Sequence, residues 1–145
     1  MDNFLTPLNC DILDDGRFIK VTREFQYYTY LTPKIDHPFI NTIDDKTYFY
    51  IPIGFISDFA STPQILWSIA PPIGRFSKAA VVHDFLYRFN INNRKWADKV
   101  FLEAMTVSKT FILTRYIYYA KTRLLGWIAW LKWKRVLAKE SVKTT

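Results

Sequence analysis

Hydrophobic and polar positions in the first half of the chain follow the pattern of β-strands. Residues 16–30 and 46–55 are rich in Phe, Tyr, Ile, Val and Thr, which favour extended conformations. The segments Asp14-Asp15-Gly16 and Asp44-Asp45-Lys46 precede them and are typical of turns. Pro71 and Pro72 predict a loop, since neither fits inside a helix. These observations predict a small antiparallel sheet in residues 1–70.

From Ser77 onward the apolar positions recur at helical spacing. This spacing predicts helices at about 77–90, 94–108 and 110–138, and Asn93 is a plausible N-cap for the second. The connection between the first two helices is short, so they should form an antiparallel hairpin. No linker is long enough to divide the chain. We therefore predict an α+β fold and one domain over residues 1–145, with an N-terminal antiparallel sheet followed by three helices, mainly within 77–138.

Composition and charge limit the classes of function. Half of the residues are apolar and 18% are aromatic, which excludes a disordered or low-complexity chain. Residues 1–60 carry a net charge of −4 and residues 61–145 a net charge of +11, so the C-terminal half should meet an anionic partner or present a solvated basic face. The single Cys10 excludes an internal disulfide.

The stretch AAVVHDFLYRF, residues 79–89, carries the candidate chemistry. His83 and Tyr87 lie one helical turn apart, and Asp84 and Arg88 form a second such pair. Asp98 stands among apolar residues of the next helix, which indicates an inward-facing carboxylate. We expect Asp98 to lie opposite His83 and to orient it as a general base, leaving Asp84 for a cation or for Arg88.

A second string, GFISDFASTP at residues 54–63, contains Asp58. This carboxylate could cap a turn, as could Ser61 and Thr62, or it could be a ligand. Together, Asp58 and the acidic residues near His83 offer the ligands of a small metal or acid–base site. One cysteine and two histidines cannot form a structural zinc site, and no glycine-rich phosphate loop is present.

These strings resemble a family. IPIGFISDFASTP, PPIGRFSKAAVVHDFLYR and ADKVFLEAM are similar to the defining strings, GFxSDFASxP and HDxLYR among them, of an uncharacterised domain family of bacteriophages and prophages. The resemblance covers most of the chain. It implies a phage origin, a recurring His-Asp-x-x-Tyr site, and a location in the host cytoplasm or the virion. It brings no established activity.

HDFLYR followed by ADKVF also resembles, more distantly, the paired catalytic helices of calcium-dependent phospholipases that cleave the sn-2 ester. That resemblance implies that His83 is the base, that Asp98 orients it, and that Tyr87 supplies a supporting hydroxyl. It also implies that Asp84 binds calcium, to which we add Asp58 as a further metal ligand. Those enzymes take further calcium ligands from a glycine-rich loop, whereas only Gly74 stands in the corresponding segment here.

The third helix predicts an interaction surface. Residues at spacings of three and four are expected to form a stripe that faces the core: Leu113, Tyr116, Ala120, Leu124, Trp127 and Leu131. Trp130 and Trp133, with Lys132 and Arg135 beside them, should then face outward. A protein partner ranks first for this surface, a membrane surface second and nucleic acid third. The apolar run at 124–131 is too short to span a bilayer, and the N-terminus is unlike a signal peptide.

Two classes of function remain open. The first is a phage-encoded hydrolase that acts on a lipid, or another ester or amide, of the host envelope. The second is a non-catalytic virion or host-interaction protein in which the His-Asp-Tyr cluster is a structural network.

Overall fold

The computed structural model describes residues 2–13, 18–58 and 75–144. Over these residues the chain has an α+β fold in which strands precede three helices, as predicted. The elements are β1 (Cys10–Leu13), β2 (Phe18–Val21), β3 (Phe25–Thr29), β4 (Ile40–Ile43), β5 (Lys46–Ile51), β6 (Ile56–Asp58), α1 (Arg75–Arg88), α2 (Arg94–Val107) and α3 (Ile112–Lys143). The predicted turn at 14–16, the caps Ser61 and Thr62, and the Pro71-Pro72 loop lie outside the described residues.

The strands form two antiparallel sheets where one was expected. In the first sheet β2 pairs with β1 and β6, and in the second β5 pairs with β3 and β4. The strand predicted over 16–30 is interrupted at residues 22–24, so it contributes β2 to one sheet and β3 to the other. Asp44 and Asp45 have φ angles of 48° and 62°, which suit the tight turn predicted between β4 and β5.

The core lies between the strands and the α1–α2 pair. Alternate residues of β5, Thr47, Phe49 and Ile51, are buried, as the two-residue period of a strand requires. The rings of Phe49 and Trp96 meet edge to face with 5.7 Å between their centroids, which joins the second sheet to α2. This packing fixes α1 and α2 against the strands.

The helix hairpin α1–α2 forms as predicted. The side chain of Asn93 accepts a hydrogen bond of 2.9 Å from the backbone N–H of Trp96, which caps the start of α2. Asn90 and Asn92 have φ angles of 47° and 60°, a left-handed conformation that asparagine tolerates and that turns the chain sharply. The inner faces of the two helices are thereby brought together.

The predicted core-facing stripe of α3 is wrong. Its members are exposed, whereas Thr114 and Tyr118 are buried, and Trp130 and Trp133 pack partly buried against the core. The reason is that α3 carries apolar residues on several sides, and the side that meets α1 and α2 also carries polar and small residues. Within the described part of the chain, no helix is both long enough and apolar enough to cross a membrane.

Candidate acid–base site

His83 of α1 and Asp98 of α2 face each other across the hairpin. The Nε2 atom of His83 lies 3.1 Å from Oδ1 of Asp98, and the Asp98 side chain is fully buried. The predicted pairing is therefore present. It follows from the short α1–α2 connection, which places these two inward positions side by side.

Asp98 accepts hydrogen bonds from all three helices. Its Oδ1 also accepts from the Tyr87 hydroxyl at 2.6 Å, and its Oδ2 accepts from Nη1 of Arg123 at 2.7 Å. Arg94 Nη1 makes a longer contact of 3.5 Å with Oδ2. Burial alone would raise the pKa of Asp98, but the hydrogen bonds from His83, Tyr87 and Arg123 outweigh burial and hold the pKa below its usual value. Asp98 is thus a carboxylate at neutral pH.

Gly126 lets α3 approach this cluster closely. A Cβ atom at this position would collide with the hydroxyl of Tyr87 and would lie 3.4 Å from Nη1 of Arg94. The same Arg94 nitrogen donates to the backbone carbonyls of Thr122 and Arg123, at 2.8 and 3.1 Å. Arg94 therefore joins α2 to the middle of α3 directly above the buried carboxylate.

The ionisation state and tautomer of His83 follow from its surroundings. Burial lowers the pKa of His83, so the ring is neutral at pH 7, although Asp98 opposes this shift. Since the ionised Asp98 can only accept, the proton of the neutral ring must be on Nε2. The basic lone pair is then on Nδ1. The ring is held between those of Tyr87 and Phe101, with centroid distances of 4.2 and 4.3 Å.

A cavity of about 160 Å³ lies beside His83. Leu125 and Ala129 of α3 line it and are also exposed, so the cavity opens to solvent along this helix. Most of its walls are apolar, and His83, Asp84 and Lys121 are among the titratable groups that line it. The full lining is Asp58, Phe76, Ala80, His83, Asp84, Tyr87, Phe101, Tyr118, Lys121, Thr122, Leu125, Gly126 and Ala129.

Asp84 of α1 also lines the cavity, and its hydrogen bond goes to β6 and not to the Asp98 network. Its carboxyl accepts a short hydrogen bond from the Ser57 hydroxyl. Burial, opposed by Ser57 and reinforced by the charge of Asp58, raises the pKa of Asp84 to about 7. Lys121 is close enough to Asp84 for the two charges to interact, and burial lowers the pKa of this lysine. The cavity thus holds an acid that titrates near neutral pH beside an amine.

The predicted metal ligands are only partly assembled. Asp58 and Asp84 are neighbours, as expected, but Arg88 does not pair with Asp84; it contacts Glu140 at 3.4 Å. Calcium takes six to eight oxygen ligands. Among residues 2–13, 18–58 and 75–144, no group of three or more acidic, His or Cys side chains could hold a metal ion. These residues alone do not fit calcium, and its binding stays a prediction.

The residues predicted for a partner surface divide into two sets. Lys132 and Arg135 are exposed. Trp130 and Trp133 instead contact α1, since the Trp130 ring meets that of Tyr87 at 5.2 Å and the Arg88 guanidinium lies 4.5 Å from the Trp133 ring. The expectation that both tryptophans face outward is wrong, because the helix is rotated relative to the predicted stripe.

Four site residues were not singled out for this site from the sequence: Ser57, Arg94, Lys121 and Arg123. Lys121 gives no signal of its own in the sequence, because other residues along α3 are also basic. Gly126 offered the one available signal, since a glycine within a helix costs about 1 kcal/mol relative to alanine and often marks a close approach.

Comparison with known families gives one match. The family described as a protein of unknown function, DUF1353, matches residues 34–121, which include α1, α2 and the first part of α3. His83, Asp84, Tyr87, Asp98 and Lys121 all lie within the matched segment. No curated protein and no solved structure matches the chain.

Proposed function

The chain belongs to the DUF1353 family of proteins of unknown function, and from its site we propose that it is a hydrolase of esters with apolar acyl groups, such as phospholipids. The observation that carries this proposal is the contact of 3.1 Å between Nε2 of His83 and the buried carboxylate of Asp98, in a ring that lines a largely apolar cavity. A histidine oriented in this way is suited to take a proton from water.

The proposed reaction uses water as the nucleophile. His83 removes a proton from water through Nδ1 while the water oxygen bonds to the acyl carbon of the ester. Asp98 stabilises the imidazolium that forms, and Tyr87 holds Asp98 in place. The tetrahedral oxyanion then collapses, the ester C–O bond breaks, and His83 returns the proton to the departing alcohol. The products are an alcohol and a carboxylic acid.

Lys121 is the group best suited to stabilise the oxyanion. It lines the same cavity as His83 on the neighbouring helix, and its charge interacts with both His83 and Asp84. An ammonium in a partly buried site interacts with developing negative charge more strongly than it does in water. The apolar walls, such as Phe76 and Phe101, would accept the acyl chain.

A non-catalytic role is the second candidate, favoured by one observation. Asp98 accepts hydrogen bonds from α1, α2 and α3 together, the arrangement expected of a buried network that fixes a fold. A phage or prophage source, and a place in the virion or host cytoplasm, remain predictions from the quoted strings in either case.

Hydrolysis of mixed phospholipid vesicles by the purified chain separates the two candidates. We expect release of fatty acid by the unaltered chain, loss of release in His83→Ala, and unchanged release in the matched control His37→Ala. Circular dichroism should give the same spectrum for all three chains. A folded, unaltered chain that releases no fatty acid would contradict the lipid hydrolase, and unfolding of His83→Ala would favour the structural role.

A further inference from the structure

The outer face of α3 is a continuous apolar strip. Its large members are between 39% and 73% exposed: Leu113, Tyr116, Leu124, Trp127, Ile128 and Leu131. With the exposed Ala120 between Tyr116 and Leu124, and with Ile128 next to Trp127, they lie three or four residues apart along one side of the helix. From Leu113 to Leu131 the strip is about 27 Å long, at about 1.5 Å per residue. Apolar surface of this extent marks a site of interaction.

Among the residues that the structure describes, the core is formed without this strip. The other side of α3 makes the internal contacts, through Thr114, Tyr118 and Gly126 and through the two partly buried tryptophans. Substitutions on the outer face therefore remove no contact on which the core or the acid–base site depends, so the strip can be tested without disturbing either.

The charge of α3 is strongly one-sided. The helix contains eight Lys and Arg residues and one acidic residue, Glu140, so its net charge is +7. The whole chain also has a net charge of +7, so the remaining residues are balanced. Glu140 contacts Arg88 and lies away from the strip. Four exposed basic residues extend the outer side of the helix beyond Leu131: Lys132, Lys134, Arg135 and Lys139.

We propose that this face of α3 binds the surface of an anionic phospholipid membrane, with the helix axis parallel to the surface. Leucine, isoleucine and tryptophan would enter the boundary between headgroups and acyl chains, and the basic residues would contact lipid phosphates. The positive charge of α3 and the aliphatic side chains of this face together favour an anionic membrane as the binding partner. A second copy would bring two helices of net charge +7 together, and nucleic acid would leave the aliphatic side chains unmatched.

The strip and the cavity lie on different sides of α3. Leu125 and Ala129, at the cavity opening, directly follow Leu124 and Ile128 in sequence, so they point about 100° away from them around the helix. Membrane binding does not rest on the proposed hydrolysis, because it is measured on ether-linked phospholipids, which contain no carboxylic ester for the chain to cleave. Membrane binding and ester hydrolysis can therefore be refuted independently of each other.

Flotation with vesicles of ether-linked phospholipids tests the proposal. We expect the chain to float with vesicles rich in the ether-linked analogue of phosphatidylglycerol, to float much less with the ether-linked analogue of phosphatidylcholine alone, and to be released by added salt. Leu124→Glu should weaken binding at least about tenfold, because it removes a buried aliphatic side chain and adds a charge. Ile35→Glu, a matched change at an exposed apolar residue far from α3 in sequence, should bind as the unaltered chain does.

Tryptophan fluorescence locates the contact. Entry of Trp127 into the interface should shift the emission to shorter wavelength, and Trp127→Phe should lose the shift but keep most of the binding. Absence of binding by the unaltered chain, or equal binding by Leu124→Glu, would overturn the proposal. So would a dimer in sedimentation that Leu124→Glu dissociates, since the strip would then be covered by a second copy.

Discussion

Nε2 of His83 and Oδ1 of Asp98 lie 3.1 Å apart between α1 and α2, although fifteen positions separate the residues in sequence. This contact assigns the ring proton to Nε2, because an ionised carboxylate donates no hydrogen bond. It also places the basic Nδ1 atom away from Asp98. One side-chain pair thus determines which atom of the site can accept a proton.

Asp98→Asn should separate orientation from folding. The amide preserves the size of the side chain but no longer stabilises an imidazolium, so we expect turnover to fall by about 10²- to 10⁴-fold. The ¹⁵N chemical shifts of His83 should show a larger share of the Nδ1–H tautomer. Asp36→Asn, at an exposed loop position, is the control. Full turnover with an unchanged tautomer would contradict the assignment.

Asp84→Asn should change the dependence of stability on pH. The pKa of Asp84 is raised to about 7 from 3.8, so the folded state binds more protons than the unfolded state between these values. Stability therefore falls as the pH rises through this window. The neutral amide of Asn removes this loss in the free energy of unfolding. The loss is at most about 4 kcal/mol at pH values well above 7. Urea denaturation at acidic and alkaline pH measures the difference.

Two charged groups act on Asp84, and the neighbouring His83 provides the control for that experiment. Asp58 of β6 and Lys121 of α3 interact with the Asp84 carboxyl, and the pKa of His83 is lowered by burial. Burial lowers the pKa of His83 below 6.5, so His83 makes stability rise with pH below 6.5. His83→Ala measured over the same range isolates this opposite slope. An Asp84→Asn chain that gains nothing at alkaline pH would refute the raised pKa.

Lys121→Met should lower turnover and leave the fold intact. The methionine side chain can fill the same space among the apolar walls but carries no charge, so we expect turnover to fall by about 10²-fold. Lys121→Arg keeps the charge and should recover part of the loss. The pKa of Asp84 should rise further in the methionine variant, which an NMR titration of the carboxyl would record. Equal turnover in all three chains would remove Lys121 from the mechanism.

Gly126→Ala should destabilise the chain despite the higher helix propensity of alanine. The added Cβ meets the Tyr87 hydroxyl, and overpacking of this kind costs about 1–3 kcal/mol, against a gain of about 1 kcal/mol in propensity. In the double variant with Tyr87→Phe the closest contact is gone. We therefore expect the free-energy changes of the two substitutions to sum to more than that of the double variant. Additive values would mean that α3 does not approach Tyr87 this closely.

The sequence predicted the features that depend only on residues close together in the chain. The Asn93 cap, the Asp44-Asp45 turn and the short α1–α2 connection follow from the residues at those positions, and the His83–Asp98 contact follows from the connection. The sequence did not predict which side of α3 faces α1 and α2. Its inner side carries Lys121, Arg123 and Gly126 because the site requires charge and close approach there, so the apolar pattern indicates the opposite side.

The two sheets were missed for a related reason. Strand composition identifies residues that favour extended backbone, but it carries no information about which strands pair. Residues 18–29 are extended over most of their length, and only the break at 22–24 assigns their two halves to different sheets. Pairing depends on contacts with β5 and β6, which lie far away in sequence.

The four hydrogen bonds to Asp98 couple the local unfolding of α1, α2 and α3. Their donors belong to α1, α2 and α3, so none of these helices can separate without leaving a buried charge poorly solvated. Amide protons of α1, α2 and the first half of α3 should therefore exchange with deuterium together, as one cooperative unit. Beyond Trp133 most residues of the helix are exposed, and Glu140 contacts Arg88 at its surface, so the last turns should exchange first.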